Sequence, residues 1–370
     1  MYSYELELGG ISLPVSFFYP ETAERFGAYC RPGGQDGGAL ALTAWDWAFG
    51  DRGGLPRSAD SEYSLFAGAV SAALLDRERF LFHAAAVGFR GRAWLIAAPS
   101  GVGKSTQVRN LRELWPGQFE VICGDRPLVG FRGEEAVVYP SPWNGKEGFR
   151  GAPAAPLCGI VCLERTGPRE DNLIRHIDSK ERLDRCLGQF VCRPENETQI
   201  RNYARLADTV LGGVPVWLLR NRGDAESTAL MIKTIKQYAA KCSLRPADAQ
   251  RGAFGISAVS EPADAQNALC GLSAASGGAR YRRTDGIFLH EICGEYLLLA
   301  GAEARRCVPF MSSVNEPSAI IWEYISAPRS ADECAAVLAR EYPGVDRARL
   351  AADASVFLSE MEKKGYVREV

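Results

Sequence analysis

A glycine-rich segment that follows an apolar run constrains the fold of this chain more than any other feature. The apolar residues 93–97 lead into Ala98-Pro-Ser-Gly-Val-Gly-Lys-Ser-Thr106, and helical spacing follows to Leu114. A strand, a glycine-rich turn and a helix in this order leave backbone N–H groups unpaired at the helix N-terminus, where the helix dipole also favours negative charge. The segment therefore predicts an α/β fold with a phosphate-binding loop (P-loop) over residues 98–106.

This loop follows most of the G-x-x-x-x-G-K-[ST] pattern, with Ala98 in place of the first glycine. In such a loop Lys104 reaches the β- and γ-phosphates of ATP, and the Ser105 hydroxyl ligates Mg²⁺. The alternative is a glycine-rich turn beside an incidental lysine. The residues predicted to surround the nucleotide phosphates are Pro99, Ser100, Gly101, Val102, Gly103, Lys104, Ser105 and Thr106.

Composition narrows the class of protein. With 370 residues, of which 46% are hydrophobic, the chain is long enough for two domains with real cores. Its 43 Lys and Arg nearly balance 45 Asp and Glu, so the net charge of −2 offers no general attraction to nucleic acid or anionic lipid. The N-terminus lacks the regions of a signal peptide, and no apolar run reaches about 18 residues. We expect a cytoplasmic protein with neither nucleic acid nor membrane as a partner.

The chain holds 11 cysteines and no C-x-x-C pair. Strand alternation places Cys158 and Cys162 on one face, where packing in the core explains them better than zinc, because no second ligand pair lies nearby. We therefore expect reduced cysteines and no structural metal.

Residues 1–242 predict an α/β nucleotide-binding domain that begins with a β-rich subdomain over residues 1–57. A helix at residues 58–77, with Ser58 or Asp60 as its N-cap, follows the subdomain. Further helices are expected at residues 105–114, 179–190, 200–211 and 224–240, and strands at residues 4–8, 13–19, 39–47, 79–87, 93–97, 119–122, 135–139, 158–163 and 214–219.

Residues 243–278 are rich in Ala, Ser, Gly and Pro without an apolar period, which predicts a linker. Residues 279–370 then predict a small α+β winged-helix-like domain. Its strands are expected at residues 287–292, 296–299 and 308–311, and its helices at residues 317–325, 331–342 and 347–364, the last two after the N-caps Ser330 and Asp346. A DNA-binding winged helix is the alternative, but the last helix lacks a basic stripe.

The sequence on both sides of the loop resembles the HPr serine kinase/phosphorylase family. His83, in Leu81-Phe-His-Ala-Ala-Ala-Val87, has the spacing of that family's histidine ahead of the loop. Val121-Ile-Cys-Gly-Asp-Arg-Pro127 is similar to its second acidic motif, in which a strand ends in two aspartates. Asp125 matches the first, whereas Arg126 replaces the second, and Ser141-Pro-Trp-Asn-Gly-Lys-Glu147 stands where the family's glutamate signature is expected. The resemblance spans roughly residues 79–240.

The C-terminal hundred residues look like a PqqD-type peptide-recognition domain, which captures leader segments of ribosomally made peptides. The matching segments are Gly294-Glu-Tyr-Leu-Leu-Leu299, Val314-Asn-Glu-Pro-Ser-Ala-Ile-Ile-Trp-Glu-Tyr324 and Ser330-Ala-Asp-Glu333. The combination resembles kinases that phosphorylate a serine on lasso-peptide precursors. It implies a leader bound near residues 308–313 and at the helix face around Phe357 and Met361, and a homo-oligomer, since HPr-type kinases tend to form closed assemblies.

These likenesses imply roles for individual side chains. Asp125 would accept the proton of the incoming hydroxyl or ligate the metal together with Ser105, and Lys104 would stabilise the transferred phosphoryl group. His83 would orient Asp125 by a hydrogen bond. The alternatives are a turn aspartate and a buried structural histidine.

Three further residues are weaker candidates for contact with phosphate or substrate. Arg126 would supply a fixed positive charge, while Lys146 and Glu147 would act from a loop or form only a solvated charge pair.

The sequence thus predicts an ATP- and Mg²⁺-dependent kinase that modifies a serine, or a threonine, of a ribosomally synthesised precursor peptide. Two alternatives stay open. One is a non-catalytic nucleotide switch that acts as a scaffold in peptide maturation. The other is a kinase of a folded carrier protein.

Overall fold

A computed structural model of the chain describes residues 1–33, 42, 56–145, 148, 151–167, 169–192, 194–242 and 279–370. The predicted linker and most of the strand predicted at residues 39–47 lie outside these ranges. Contacts divide the chain into two units, the first formed by Met1–Thr234 with Gly286–Asn315 and the second by Ile235–Asp285 with Glu316–Val370. Across the described ranges, no helix is both long and apolar enough to cross a membrane.

The first unit begins with a three-stranded antiparallel sheet and two helices. These elements are β1 (Tyr2–Leu8), β2 (Ile11–Phe17), α1 (Pro20–Phe26), β3 (Cys30–Pro32) and α2 (Ala59–Leu74). Strand alternation turns Leu6 and Leu8 of β1 into a core that they share with Phe66 of α2. Of the two predicted N-caps, Ser58 and Asp60, Ser58 caps α2, since its side chain accepts a hydrogen bond from the Ser61 amide. Helix α1 was not predicted.

Within the described residues, a nine-stranded mixed sheet forms the centre of the first unit. Its strands are β4 (Phe80–Leu81), β5 (Ala84–Phe89), β6 (Arg92–Ala97), β7 (Glu120–Cys123), β8 (Leu128–Arg132), β9 (Glu135–Tyr139), β10 (Ala155–Arg165), β11 (Leu173–His176) and β12 (Val216–Asn221), and the helices that follow them are α3 (Lys104–Leu114), α4 (Ser179–Cys186), α5 (Glu197–Gly213) and α6 (Ala225–Cys242). Strands β6, β10 and β12 lie side by side and run parallel. Their carboxyl ends therefore reach the same edge of the sheet.

The single strand predicted over residues 79–87 is wrong at Phe82 and His83. There the backbone N–H of Phe82 donates to the Pro127 carbonyl at 3.0 Å, and that of His83 donates to the Gln189 carbonyl at 2.7 Å. These partners come from distant segments, so the apolar run alone could not reveal the break. It leaves His83 partly exposed beside the fully buried Phe82.

The chain beyond residue 279 forms two small sheets that belong to different units. The elements are β13 (Arg280–Arg283), β14 (Ile287–Ile292), β15 (Glu295–Ala300), β16 (Met311–Val314), α7 (Glu316–Tyr324), β17 (Arg329–Ser330), α8 (Ala331–Glu341), α9 (Arg347–Lys363) and β18 (Val367–Glu369). In the first unit, β14, β15 and β16 form an antiparallel sheet in this order, and β14 packs against α5.

The strand predicted at residues 308–311 is wrong, because β16 begins three residues later, at Met311. The N–H of Val308 instead closes a turn by donating to the Ala304 carbonyl at 3.0 Å.

The second unit contains a sheet in the order β17, β13, β18 together with α7, α8 and α9. Ser330 caps α8 as predicted: its hydroxyl accepts from the Glu333 amide, and the Glu333 carboxylate accepts from the Ser330 amide. Asp346 lies at the predicted N-cap position of α9, but the predicted cap is wrong because the Asp346 side chain makes no capping hydrogen bond.

Candidate functional site

The loop of residues 98–103 joins β6 to α3 and has the backbone that its glycines predict. Gly101 has a φ of +84° and Gly103 a φ of +121°, conformations that L-residues with a side chain rarely adopt. Ala98 is not among the residues with positive φ, so its position does not require glycine. The one departure from the sequence pattern is therefore compatible with the backbone of the loop.

The N-terminus of α3 is open to a negatively charged ligand. Gly103 precedes the helix without a side-chain cap, and the first turn carries no acidic residue. The first amides of a helix have no partner within it, so those of residues 104–106 are available for phosphate oxygens. Ser105 is exposed and Thr106 partly exposed at this end of the helix.

The Lys104 side chain returns over the loop instead of extending into solvent. Its ammonium donates to the Ala98 carbonyl at 2.7 Å and to Nε2 of His83 at 3.0 Å. Only 8% of the residue is exposed. Burial lowers the pKa of Lys104, while the nearby Asp125 carboxylate acts in the opposite direction.

His83 is held in one orientation by Gln189. The Gln189 amide nitrogen donates to the Arg185 carbonyl at 3.5 Å, so its amide oxygen faces Nδ1 of His83 at 3.1 Å. Nδ1 therefore carries a proton, and in the neutral ring Nε2 has a free lone pair. This lone pair accepts from the Lys104 ammonium, and the same Nε2 lies 3.5 Å from Oδ1 of Asp125.

Asp125 lies just beyond β7 with its carboxylate among positive and donor groups. Burial raises its pKa, but the nearby His83 ring and the positive charges of Arg126 and Lys104 together outweigh burial, so the pKa of Asp125 lies below its ordinary value of 3.8. A Cβ atom on Gly145, whose φ is +72°, would lie 3.2 Å from the Asp125 Cβ. Asp125 is thus a carboxylate at neutral pH, with glycine backbone packed close to it.

Arg126, the residue after Asp125, is fixed by its backbone. Its N–H donates to the Trp143 carbonyl at 3.0 Å, and its own carbonyl accepts from the Ser141 hydroxyl at 2.5 Å. Its Nε lies 3.5 Å from Oδ2 of Asp125. The guanidinium therefore pairs with the neighbouring carboxylate, and a quarter of the side chain is exposed.

The structure brings together Lys104, His83, Asp125 and Arg126 beside the glycine-rich loop. The Lys104 ammonium and the Asp125 carboxylate both lie next to Nε2 of His83, so the two charged groups are close to each other. Ser105 lies at the start of α3, and its role as a metal ligand with Asp125 stays a prediction. Lys146 and Glu147 lie outside the described residues.

Sequence reasoning missed Gln189. This residue ends the short helical turn Leu187–Gln189 after α4 and lies 106 positions from His83 along the chain. It is only 8% exposed although it is polar. A buried glutamine requires hydrogen-bond partners, but the sequence alone cannot identify them.

We expect replacement of Gln189 by leucine to release the His83 ring. Nδ1–H then loses its acceptor, so the ring is no longer held and the rate of any reaction that needs the ring's orientation falls about tenfold, the value of one hydrogen bond. Replacement by glutamate keeps an acceptor oxygen at the position and should preserve the rate. The NMR signal of the His83 Nδ1 proton, which the hydrogen bond protects from exchange with water, checks the contact directly. An unchanged rate together with an unchanged Nδ1–H signal in Gln189→Leu would contradict the assignment.

Comparison with known proteins gives two findings. Residues 308–367 match the model of a family described as Coenzyme PQQ synthesis protein D (PqqD), so the C-terminal part of the chain contains a PqqD domain. Among solved structures, the Hpr(Ser) kinase/phosphatase from Coxiella burnetii is similar at 14% identity, with 44% of this chain and 98% of that chain covered and a TM-score of 0.28. A search of curated proteins gave no match.

Proposed function

We propose that this protein is an ATP-dependent kinase that phosphorylates a serine, or a threonine, of a ribosomally synthesised precursor peptide. The observation that carries the proposal is the meeting of the Lys104 ammonium and the Asp125 carboxylate at Nε2 of His83, beside the glycine-rich loop. A cation that can hold phosphates and a carboxylate that can receive a hydroxyl proton therefore lie at one place.

The residues fit a nucleoside triphosphate and a divalent cation by their chemistry. Open helix amides, two glycines with positive φ and a buried lysine suit phosphate oxygens. The Asp125 carboxylate and the Ser105 hydroxyl are the hard oxygen ligands that Mg²⁺ prefers. When bound, Mg²⁺ would neutralise charge on the phosphates.

In the proposed reaction, the serine Oγ bonds to the γ-phosphorus, the bond from that phosphorus to the bridging oxygen of the β-phosphate breaks, and ADP leaves. The hydroxyl proton passes to the Asp125 carboxylate, which the lowered pKa keeps ionised at neutral pH. Lys104 stabilises charge on the transferred group. His83 orients the Lys104 ammonium by accepting its hydrogen bond, and Gln189 holds the His83 ring.

The PqqD domain supports a peptide as the substrate. Its matched residues include β16, which pairs with β15 on one side and, among the described residues, with no strand on the other. An open strand edge can accept an extended peptide as an added strand. Of the two helix residues predicted to contact the leader, Phe357 is partly exposed, whereas Met361 is only 5% exposed and offers little surface to a peptide.

Incubation with ATP and the peptide encoded beside this gene tests the proposal. We expect the peptide to gain the mass of one phosphoryl group, with the modified serine located by fragmentation, and the gain to be far slower with the Asp125→Asn variant. A folded carrier protein that gains phosphate while the peptide does not would contradict the peptide assignment.

Proline at Ser313 should weaken capture of the leader without affecting chemistry. The Ala300 amide donates to the Phe310 carbonyl, so by alternation the N–H of Ser313 points away from β15, toward the open edge. Ser313→Pro removes that donor and should raise the KM for full-length precursor about tenfold, while Ser313→Ala should not. The rate on a leaderless fragment should be the same in both variants. Equal losses on both substrates would argue against strand addition at this edge.

One observation favours the non-catalytic nucleotide switch as a second candidate. Arg126 lies where the family has its second aspartate, and its guanidinium approaches the Asp125 carboxylate at 3.5 Å. If that pairing blocks proton transfer, the loop binds nucleotide without turnover. A single-turnover assay with labelled ATP distinguishes the kinase from the switch, because a kinase transfers the labelled phosphate whereas a switch leaves the label in ATP.

A further inference from the structure

We infer that Arg165 binds the nucleoside end of the nucleotide, and that the carboxyl ends of β10 and β12 form the subsite for its base. This inference rests on the proposed function, since it assumes a triphosphate on the glycine-rich loop. It concerns a part of the site that no sequence motif indicates.

The sheet order sets the direction of the bound nucleotide. Asp125 follows β7, which pairs with β5, and β5 pairs with β6, so the reacting carboxylate lies on the β5 side of the loop. On the other side of β6 come β10 and then β12, both parallel to it. A triphosphate whose γ-phosphate faces Asp125 must therefore point its nucleoside toward β10 and β12.

Arg165 ends β10 at this edge, three residues beyond Cys162, which pairs with Ala97 at the end of β6. A Cβ atom on Gly103 would lie 3.9 Å from a terminal nitrogen of Arg165 and 3.8 Å from Oδ1 of Asn221. The guanidinium thus lies next to the last residue of the loop. A nucleotide bound to the loop would therefore lie close to the Arg165 guanidinium.

Gly223 makes room for this arginine. A Cβ atom on Gly223, in the turn after β12, would approach the same guanidinium to 3.0 Å, and Gly223 has a φ of +82°. Asn221 fixes the start of the turn, since its side-chain nitrogen donates to the Glu164 carbonyl at 3.0 Å. The arginine is therefore placed between the loop and a rigid turn.

Among the described residues, Arg165 differs from Arg220 and Arg222 at this edge in having no partner for its charge. Arg220 pairs with Glu164 and Glu170, and Arg222 pairs with Asp224 and Glu226. Arg165 is exposed and makes no ion pair or hydrogen bond within the described part of the chain. A planar guanidinium without a partner can stack on the face of a nucleotide base, which a lysine cannot do.

Calorimetric titration with ATP and with inorganic tripolyphosphate tests the inference. Arg165→Ala should weaken ATP binding about tenfold, the range of one stacked base, and leave tripolyphosphate binding unchanged. Arg165→Lys should lose as much ATP affinity as Arg165→Ala, because lysine keeps the positive charge but has no planar group that stacks on the base. Arg132→Ala, which removes an exposed arginine from the hairpin between β8 and β9, is the matched control and should bind like the wild type.

Equal losses on ATP and tripolyphosphate would place Arg165 on the phosphates and overturn the inference, as would unchanged ATP binding. Neither result would affect the proposed kinase. Conversely, wild-type protein that binds ATP but transfers no phosphate would overturn the proposed function and leave this inference standing. Wild-type protein that binds neither compound would overturn both.

Discussion

Asp125→Asn should lower the rate of phosphoryl transfer about 10²- to 10⁴-fold, the range that general-base catalysis supplies, and leave ATP binding intact. The amide has nearly the shape of the carboxylate but cannot accept the hydroxyl proton. Its backbone carbonyl would still accept from the Ala84 amide at 2.8 Å, so the turn that carries it is retained. Rates measured at saturating ATP, together with a separate binding titration, distinguish chemistry from affinity.

Asp184→Asn is the matched control, because Asp184 is an exposed aspartate on α4 and should be dispensable. Turnover by Asp125→Asn close to that of the wild type would remove Asp125 from its proposed role. A loss of ATP affinity as large as the loss of rate would mean that the carboxylate acts mainly through the metal.

Local signals in the sequence predicted the parts of this protein that depend on neighbouring residues. The order of β6, loop and α3 follows from an apolar run, two glycines and a helical period, and both glycines adopt the positive φ that they permit. Ser58 and Ser330 cap their helices as predicted. In each case the relevant interaction lies within a few positions along the chain.

Contacts between distant residues could not be predicted in this way. The break at Phe82 and His83 depends on carbonyls of Pro127 and Gln189, and Gln189 also fixes the ring of His83. Arg165 reaches the loop only because β10 pairs with β6. Sequence periodicity describes which face of an element is apolar but not which element lies beside it, so the side chains that orient a site are found last.

Lys104→Met should abolish transfer and weaken ATP binding while the protein becomes no less stable. The ammonium is a buried cation at the loop, and a charge-assisted hydrogen bond to phosphate is worth about 1.5–3 kcal/mol, or roughly 10- to 150-fold in affinity. A further 10²- to 10³-fold loss in rate is expected because its charge no longer stabilises the transition state. Unlike Asp125→Asn, this variant should lose both binding and rate.

The stability expectation follows from the lowered pKa of Lys104. Burial disfavours the charged form in the folded protein, so at neutral pH, where the unfolded chain holds this lysine protonated, the charge costs folding free energy. Methionine has a similar length and carries no charge, although it leaves the Ala98 carbonyl and Nε2 of His83 without their donor. The two effects oppose each other, and thermal unfolding at pH 7 should give a Tm equal to or above that of the wild type. A marked fall in Tm would show that Lys104 holds the loop together in the absence of nucleotide, and the loss of binding would then reflect a damaged loop and not a missing phosphate contact.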